Sequence, residues 1–381
     1  MNTAKLFFDK KIITAAAIYF FISTILLFKY DIQLSGEAEK FIENANRILN
    51  GQELFNGVFG YFYIVYTLLV ALFLKLSVNL LFVAVFQIIL SFIAALCLYK
   101  LLSQVFDNGN IAFFFFVVYL LCFPIQKWNF FLYSESIHTS LLVIGLYLFN
   151  NWLNNKSYKS LAAMVFVLLL VIFSRPVGIL FLIAMFTTML FWFYQNKNKR
   201  LFFMLSGISI AAIILVLNSP YTAFINPDSI RRMEIICQVP ETGSATVYHE
   251  YNRQGLYKAY TVIKDEIGFL NFFKNGFKKL GYFFGLYRGY YSWKTNLLLI
   301  CYTVFYPWAL VGIFWKQTKK FYYTKLFAVT YLLFTSAGIF FTCDEWSNRF
   351  MSPVFPFILI LAAGGFNSFY TQLNKHGSRN A

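Results

Sequence analysis

In a chain of 381 residues, hydrophobic side chains take 59% of the positions, charged ones take 13%, and the mean hydropathy is +0.62. That composition excludes an ordinary water-soluble domain and predicts a polytopic integral membrane protein. The formal charge of +16 would point to nucleic acid in a soluble chain, but here the placement of the basic residues matters more than their sum.

A helix needs about 20 apolar residues to cross the hydrocarbon core. Stretches of this kind are centred near residues 20, 89, 119, 145, 167, 185, 209, 305, 332 and 360, so the expectation is an all-α membrane bundle of about ten spans. Lys5, Lys10 and Lys11 precede the first of them, which places the N-terminus on the cytoplasmic side. No small-residue cleavage site precedes its polar flank, so the first span reads as a retained anchor.

The next stretch, "SGEAEKFIENANRILNG" from Ser35 to Gly51, is polar. Its apolar members Ala38, Phe41, Ile42, Ala45, Ile48 and Leu49 recur at intervals of three and four, the pattern of a helix lying on a membrane surface. Ser35 is a candidate cap for that helix, and a carboxylate at Glu37 suits the positive end of its dipole. "GYFYIVYTLLVALFLKLS", Gly60 to Ser77, is long enough to cross. A crossing would turn the later clusters "QNKNKR" and "KQTKK" outward, against the inner-loop bias for basic residues, so this segment is read as staying on the outer surface.

This topology divides the chain into three regions: residues 1–217, a transmembrane core with a first outer loop over 30–78; 218–293, a large outer loop; and 294–381, the C-terminal spans. Both termini are then cytoplasmic. Loops as long as the second are uncommon unless they carry a function. Its "FLNFFKNGFKKLGYFFGLYRGYYSWK" run is basic and aromatic and is read as meeting lipid phosphates and not nucleic acid. Cys97, Cys122 and Cys301 fall within spans, where a small apolar residue is the plain account. Cys237 and Cys343 both face outward, which leaves a disulfide open. No Cys/His spacing suits a structural zinc, no phosphate-loop motif is present, and no DxD motif occurs.

The outward-facing polar groups are the candidates for chemistry. A carboxylate at a membrane surface, near hydrocarbon and basic groups, can take a proton from a hydroxyl. Glu37 is the first choice, Asp31 is the rival base, and simple solvation of a polar face by Glu37, Glu39 and Glu43 is the plainer account.

"GEAEKFIENANRILNG" resembles the first outer loop of the GT-C glycosyltransferases, in which an acidic residue, an aromatic, an Ala and a closing Gly recur after the first span. Glu37, Phe41, Ala45 and Gly51 take those positions, with Glu and Phe where the family usually has Asp and often Tyr. "YFYIVYTLLVALFLKL" is similar to the family's juxtamembrane segment. Three later stretches fit the bacterial relatives of the protein O-mannosyltransferases and aminoarabinose transferases. They are "YSESIHTSLLVIGLYLF" with Glu135, "FSRPVGILFLIA" with Arg175, and "NRFMSPVFPFILILAAGG" with Arg349, Phe350, Pro353 and Pro356.

The resemblance implies a GT-C-like bundle and a sugar transfer from a polyprenyl-phosphate donor to an acceptor hydroxyl on a lipid, glycan or protein outside the cytoplasm, with inversion. The richness of the sequence in Lys, Asn, Ile and Phe points to a bacterial cytoplasmic membrane. Glu37 would deprotonate the acceptor. Arg175 and Arg349 would meet the phosphate leaving group, although snorkelling to the surface explains an arginine at a span end equally well. Glu135 would orient the acceptor or help to hold a divalent cation, Mg or Mn, unless it and Ser134 merely cap the adjoining helix. His249, Arg231 and Arg232 would read donor or acceptor from the large loop. Two rivals stay open: a flippase or transporter of lipid-linked sugars, and an enzyme like the O-antigen polymerases and ligases.

Overall fold

A computed structural model of the protein describes residues 10–52, 61–200, 202–204, 206–207, 260–315, 319–340 and 348–377. His249, Arg231, Arg232, Cys237 and Cys343 lie outside the described residues, as does most of the apolar stretch near residue 209.

The chain opens with α1 (Lys10–Tyr30), the surface helix α2 (Glu37–Leu49), α3 (Ile64–Lys75) and the long α4 (Leu81–Val105). After these, α5 (Gly109–Leu121) bends into the single turn α6 (Phe123–Gln126) and a 3-10 turn over Lys127–Phe130. Next come α7 (Glu135–Asn155), α8 (Tyr158–Ile172) and α9 (Gly178–Gln195). The C-terminal part holds α10 (Phe269–Phe284), α11 (Trp293–Cys301), α12 (Phe305–Phe314), α13 (Lys319–Ile339) and α14 (Phe355–Gly377).

Among the described residues the architecture is helical throughout, with one isolated bridge between Gln33 and Phe131. Among the described residues, four segments are long and apolar enough to cross a bilayer: α1, α4, α9 and the run Trp293–Phe314 formed by α11 and α12. The α5–α6 pair, bent by 47°, makes a fifth if taken as one span, so the described residues do not establish a count of about ten. The other helices fall outside that set for a physical reason. The helices α7, α13 and α14 reach 21, 21 and 23 residues but carry polar side chains such as Glu135, His138, Lys319, Lys320 and Asn374. At 15 residues, α8 covers only about 22 Å.

The 60–77 segment yields α3, 12 residues long, which at 1.5 Å per residue reaches about 18 Å and falls short of a hydrocarbon core of about 30 Å. Phe41 of α2 packs edge-on against Tyr63 and Tyr66, with ring centroids 5.7 and 4.7 Å away. The amphipathic reading of α2 holds: Ala38, Phe41 and Ala45 are buried, while Leu49 at its end is exposed.

A buried polar network on the α5–α7 connection fixes one corner of the bundle. Tyr19 donates its hydroxyl to Gln126 Oε1 at 2.9 Å, Asn129 Nδ2 donates to the same oxygen at 2.7 Å, and Ser136 Oγ donates to Asn129 Oδ1 at 2.5 Å. Gln87 of α4 donates to the Asn129 and Phe131 carbonyls, both at 3.0 Å. Polar groups away from water are held where their partners are, so the network sets the position of the start of α7.

A close contact of α12 with α14 fixes another. A Cβ on Gly312 would strike the Leu361 carbonyl oxygen, and one on Gly365 would strike the Trp308 carbonyl oxygen. Small residues let membrane helices approach backbone to backbone. The substitution Gly365→Leu is therefore expected to destabilise the protein by at least the overpacking cost of about 1–3 kcal/mol, read as a lower unfolding midpoint in detergent by tryptophan fluorescence.

Candidate active site

Glu37 is the first residue of α2. Gly36 stands before it in the N-cap position at φ +71°, a conformation that glycine adopts without the strain of a side chain. The expected Ser35 cap is absent, since no side chain caps this helix; instead the Ser35 carbonyl accepts the Tyr133 hydroxyl at 3.0 Å. That contact leaves no room for a side chain at Gly36, whose Cβ would lie 2.8 Å from the Tyr133 oxygen. Alongside, the Gln33 N–H donates to the Phe130 carbonyl at 2.8 Å and the Leu132 N–H donates to the Gln33 carbonyl at 3.1 Å. The segment before α2 is thus pinned to the segment before α7.

Glu135 is the first residue of α7 and is fully buried. Its Oε1 lies 2.8 Å from Arg175 Nη1 and also accepts from Arg349 Nε. Ser134 does not cap the helix. Arg175 occupies the turn between α8 and α9, and Arg349 the turn leading into α14; both are buried. The Arg349 guanidinium continues to Glu37: Nη1 donates to Oε1 at 2.5 Å and Nη2 donates to Oε2. Its Cζ stands 5.4 Å from the centroid of the Tyr133 ring, within reach of a cation–π attraction.

Four residues from four separated stretches, Glu37, Glu135, Arg175 and Arg349, therefore form one charge-balanced cluster. Arg349 is its centre, a planar fork that binds one carboxylate with two nitrogens and a second with the third. The two carboxylates differ in access: the Glu37 side chain is 43% exposed, and that of Glu135 is 0% exposed. Asp31 stands apart. Its backbone is left-handed at φ 55°, and its Oδ1 accepts the neighbouring Ile32 N–H at 2.7 Å, so the side chain serves its own turn.

Partial burial pushes the Glu37 carboxyl up, but the hydrogen bonds and charge of Arg349, helped by Arg175 and Lys40, outweigh it and hold the group below its ordinary value. A carboxyl depressed in the folded state adds stability above its unfolded pKa, near 4.3, and loses that stability as pH falls through the folded value. The native protein is accordingly expected to unfold at a higher temperature than Glu37→Gln at pH 6. This difference should begin to shrink as the pH falls below the unfolded value and vanish only below the lower, folded value, tracked as the unfolding midpoint against pH.

A cluster of three or more His, Cys, Asp or Glu side chains able to hold a metal is absent among the described residues. Both site carboxylates face guanidinium groups, whereas Mg and Mn require a shell of oxygen ligands. Among the described residues, the two site carboxylates are thus engaged by guanidinium groups.

Sequence reading missed a second pair. His138 Nδ1 and Ser174 Oγ are 2.7 Å apart and both residues are buried. His138 lies three positions after Glu135 on α7, hence on the same face, and Ser174 adjoins Arg175. Helical spacing from Glu135 was the signal available for His138; nothing in the sequence marked its partner. Around the cluster, Glu135 Oε2, His138 Nε2, Ser134 Oγ and Arg175 Nε are buried without a protein hydrogen-bond partner, so the cluster retains polar capacity beyond its internal pairs.

No curated protein and no solved structure matches the chain. A family model, the Alg9-like mannosyltransferase family, matches residues 56–380. Three of the four clustered residues fall inside the match, and Glu37 lies upstream of it. With most of its length matched, the chain belongs to the Alg9-like mannosyltransferase family, which is a GT-C type family of membrane glycosyltransferases.

Proposed function

We propose that the protein transfers a sugar, with mannose the first to test, from a polyprenyl-phosphate donor to an acceptor hydroxyl on the outer face of a bacterial cytoplasmic membrane. One observation supports this above the rest: Arg349 joins the exposed Glu37 to the buried Glu135–Arg175 pair. A general base must meet the acceptor, and only Glu37 of the two carboxylates has solvent access.

In the proposed reaction, Glu37 accepts the acceptor's hydroxyl proton while the acceptor oxygen forms a bond to the anomeric carbon. The bond from that carbon to the phosphate oxygen breaks on the opposite side, which inverts the configuration. The departing phosphate keeps the electron pair and gains negative charge, and Arg349 and Arg175 supply fixed positive charge there. Glu135 has a different part from the one its sequence position implied. Being buried between the arginines, it orients them and does not meet the acceptor.

The resting cluster also implies an order of binding. Arg349 holds Glu37 in an ion pair and keeps its carboxyl a weak base. A donor phosphate that draws Arg349 away frees Glu37 for the proton, so the donor binds first. The acceptor class, lipid, glycan or protein, is left to the assay.

The test uses the purified protein in lipid bilayers with a panel of polyprenyl-phosphate sugars and membrane extract as the acceptor. Sugar transfer with release of polyprenyl phosphate is the expected result. Movement of the donor across the bilayer without transfer would replace this reading with a flippase.

A further inference from the structure

A cavity of about 420 Å³ opens between the first half of α1 and the later half of α5. Its walls are apolar, formed by Ala15, Ile18, Val117 and Leu121 among others, and Lys10 and Lys11 stand at one end of it. Both lysines are exposed.

We propose that this groove binds one anionic phospholipid, with the headgroup phosphate at Lys10 and Lys11 and an acyl chain along Ala15, Ile18, Val117 and Leu121. Three observations carry this. First, α1 is a membrane-spanning helix by length and apolarity, yet only 17% of its apolar window is buried in the protein, so the groove opens into hydrocarbon. Second, the apolar walls suit a lipid tail and not an extended peptide, whose backbone would find no hydrogen-bond partner there. Third, basic residues at the end of a groove between spans meet acidic headgroups at the membrane surface. From Lys10 to Tyr19, another lining residue, the helix rises about 14 Å, a length along which an acyl chain extends readily.

The experiment is a native mass spectrometry titration of the full-length protein with dioleoylphosphatidylglycerol and, separately, dioleoylphosphatidylcholine. The double variant Lys10→Gln/Lys11→Gln and the groove-filling Ala15→Trp are run in parallel, each checked by its unfolding midpoint. The expected result is preferential binding of the anionic lipid. Its affinity should fall about thirtyfold in the lysine variant, from two basic groups at an anionic surface, and should also fall in Ala15→Trp, where charge is unchanged. Equal binding of the two lipids would overturn the proposal. So would undiminished binding in Ala15→Trp, which would reduce the effect to surface charge. Displacement of the phosphatidylglycerol by farnesyl phosphate at lower concentrations would overturn it too, and assign the groove to an isoprenyl phosphate.

Discussion

Glu37→Gln is expected to lower sugar transfer about a thousandfold, within the range over which a positioned general base contributes. The amide keeps the shape of the side chain and one oxygen to accept from Arg349, but it cannot take up a proton. Folding is expected to persist, because α2 is held by Ala38, Phe41 and Ala45 beneath it and not by its first residue. The measurement is turnover by the native and variant proteins under saturating donor, with Asp31→Asn as the control. Asp31 is occupied with its own turn, so the control should retain its rate. Full turnover in Glu37→Gln would remove Glu37 from the chemistry. Loss in the Asp31 variant alone would transfer the role to Asp31.

Replacement of Glu135 by leucine acts on stability instead. It leaves Arg175 and Arg349 buried without the carboxylate between them, and breaking a buried pair from one side costs about 3–5 kcal/mol. The Glu37 carboxylate compensates Arg349 in part, so Arg175 is the group left most exposed to the loss. The double variant Glu135→Leu/Arg175→Leu is therefore expected to unfold at a higher temperature than Glu135→Leu alone. Additive losses in that cycle would show the two side chains to be energetically independent. Transfer activity is expected to fall in both variants, because the arginines lose the group that orients them.

Periodicity and charge were enough to recognise the elements, though not their arrangement. The three- and four-residue spacing in "EAEKFIENANRIL" describes an amphipathic helix, and the folded chain makes it over Glu37–Leu49. The basic clusters argued against a crossing by the 60–77 segment, whose helix is 12 residues long. Counting apolar stretches carries less information. A hydropathy pattern does not distinguish a lipid-facing span from a helix buried among others, and α7 combines a span's length with the buried polar residues Glu135, His138 and Ser140. The Ser35 cap failed for a related reason: Tyr133, distant in the chain, occupies the Ser35 carbonyl and the space above Gly36.

By itself the sequence determined the membrane class, the amphipathic α2 and the residue types at Glu37, Glu135, Arg175 and Arg349, because composition and helical period are local properties of a chain. Only the tertiary structure decided that Arg349 is the hub, that Glu37 is accessible while Glu135 is sealed, and that His138 pairs with Ser174. Those outcomes depend on side chains up to 312 positions apart. An ion pair between turns of different helices has no period and no spacing; it exists only once packing has brought the turns together.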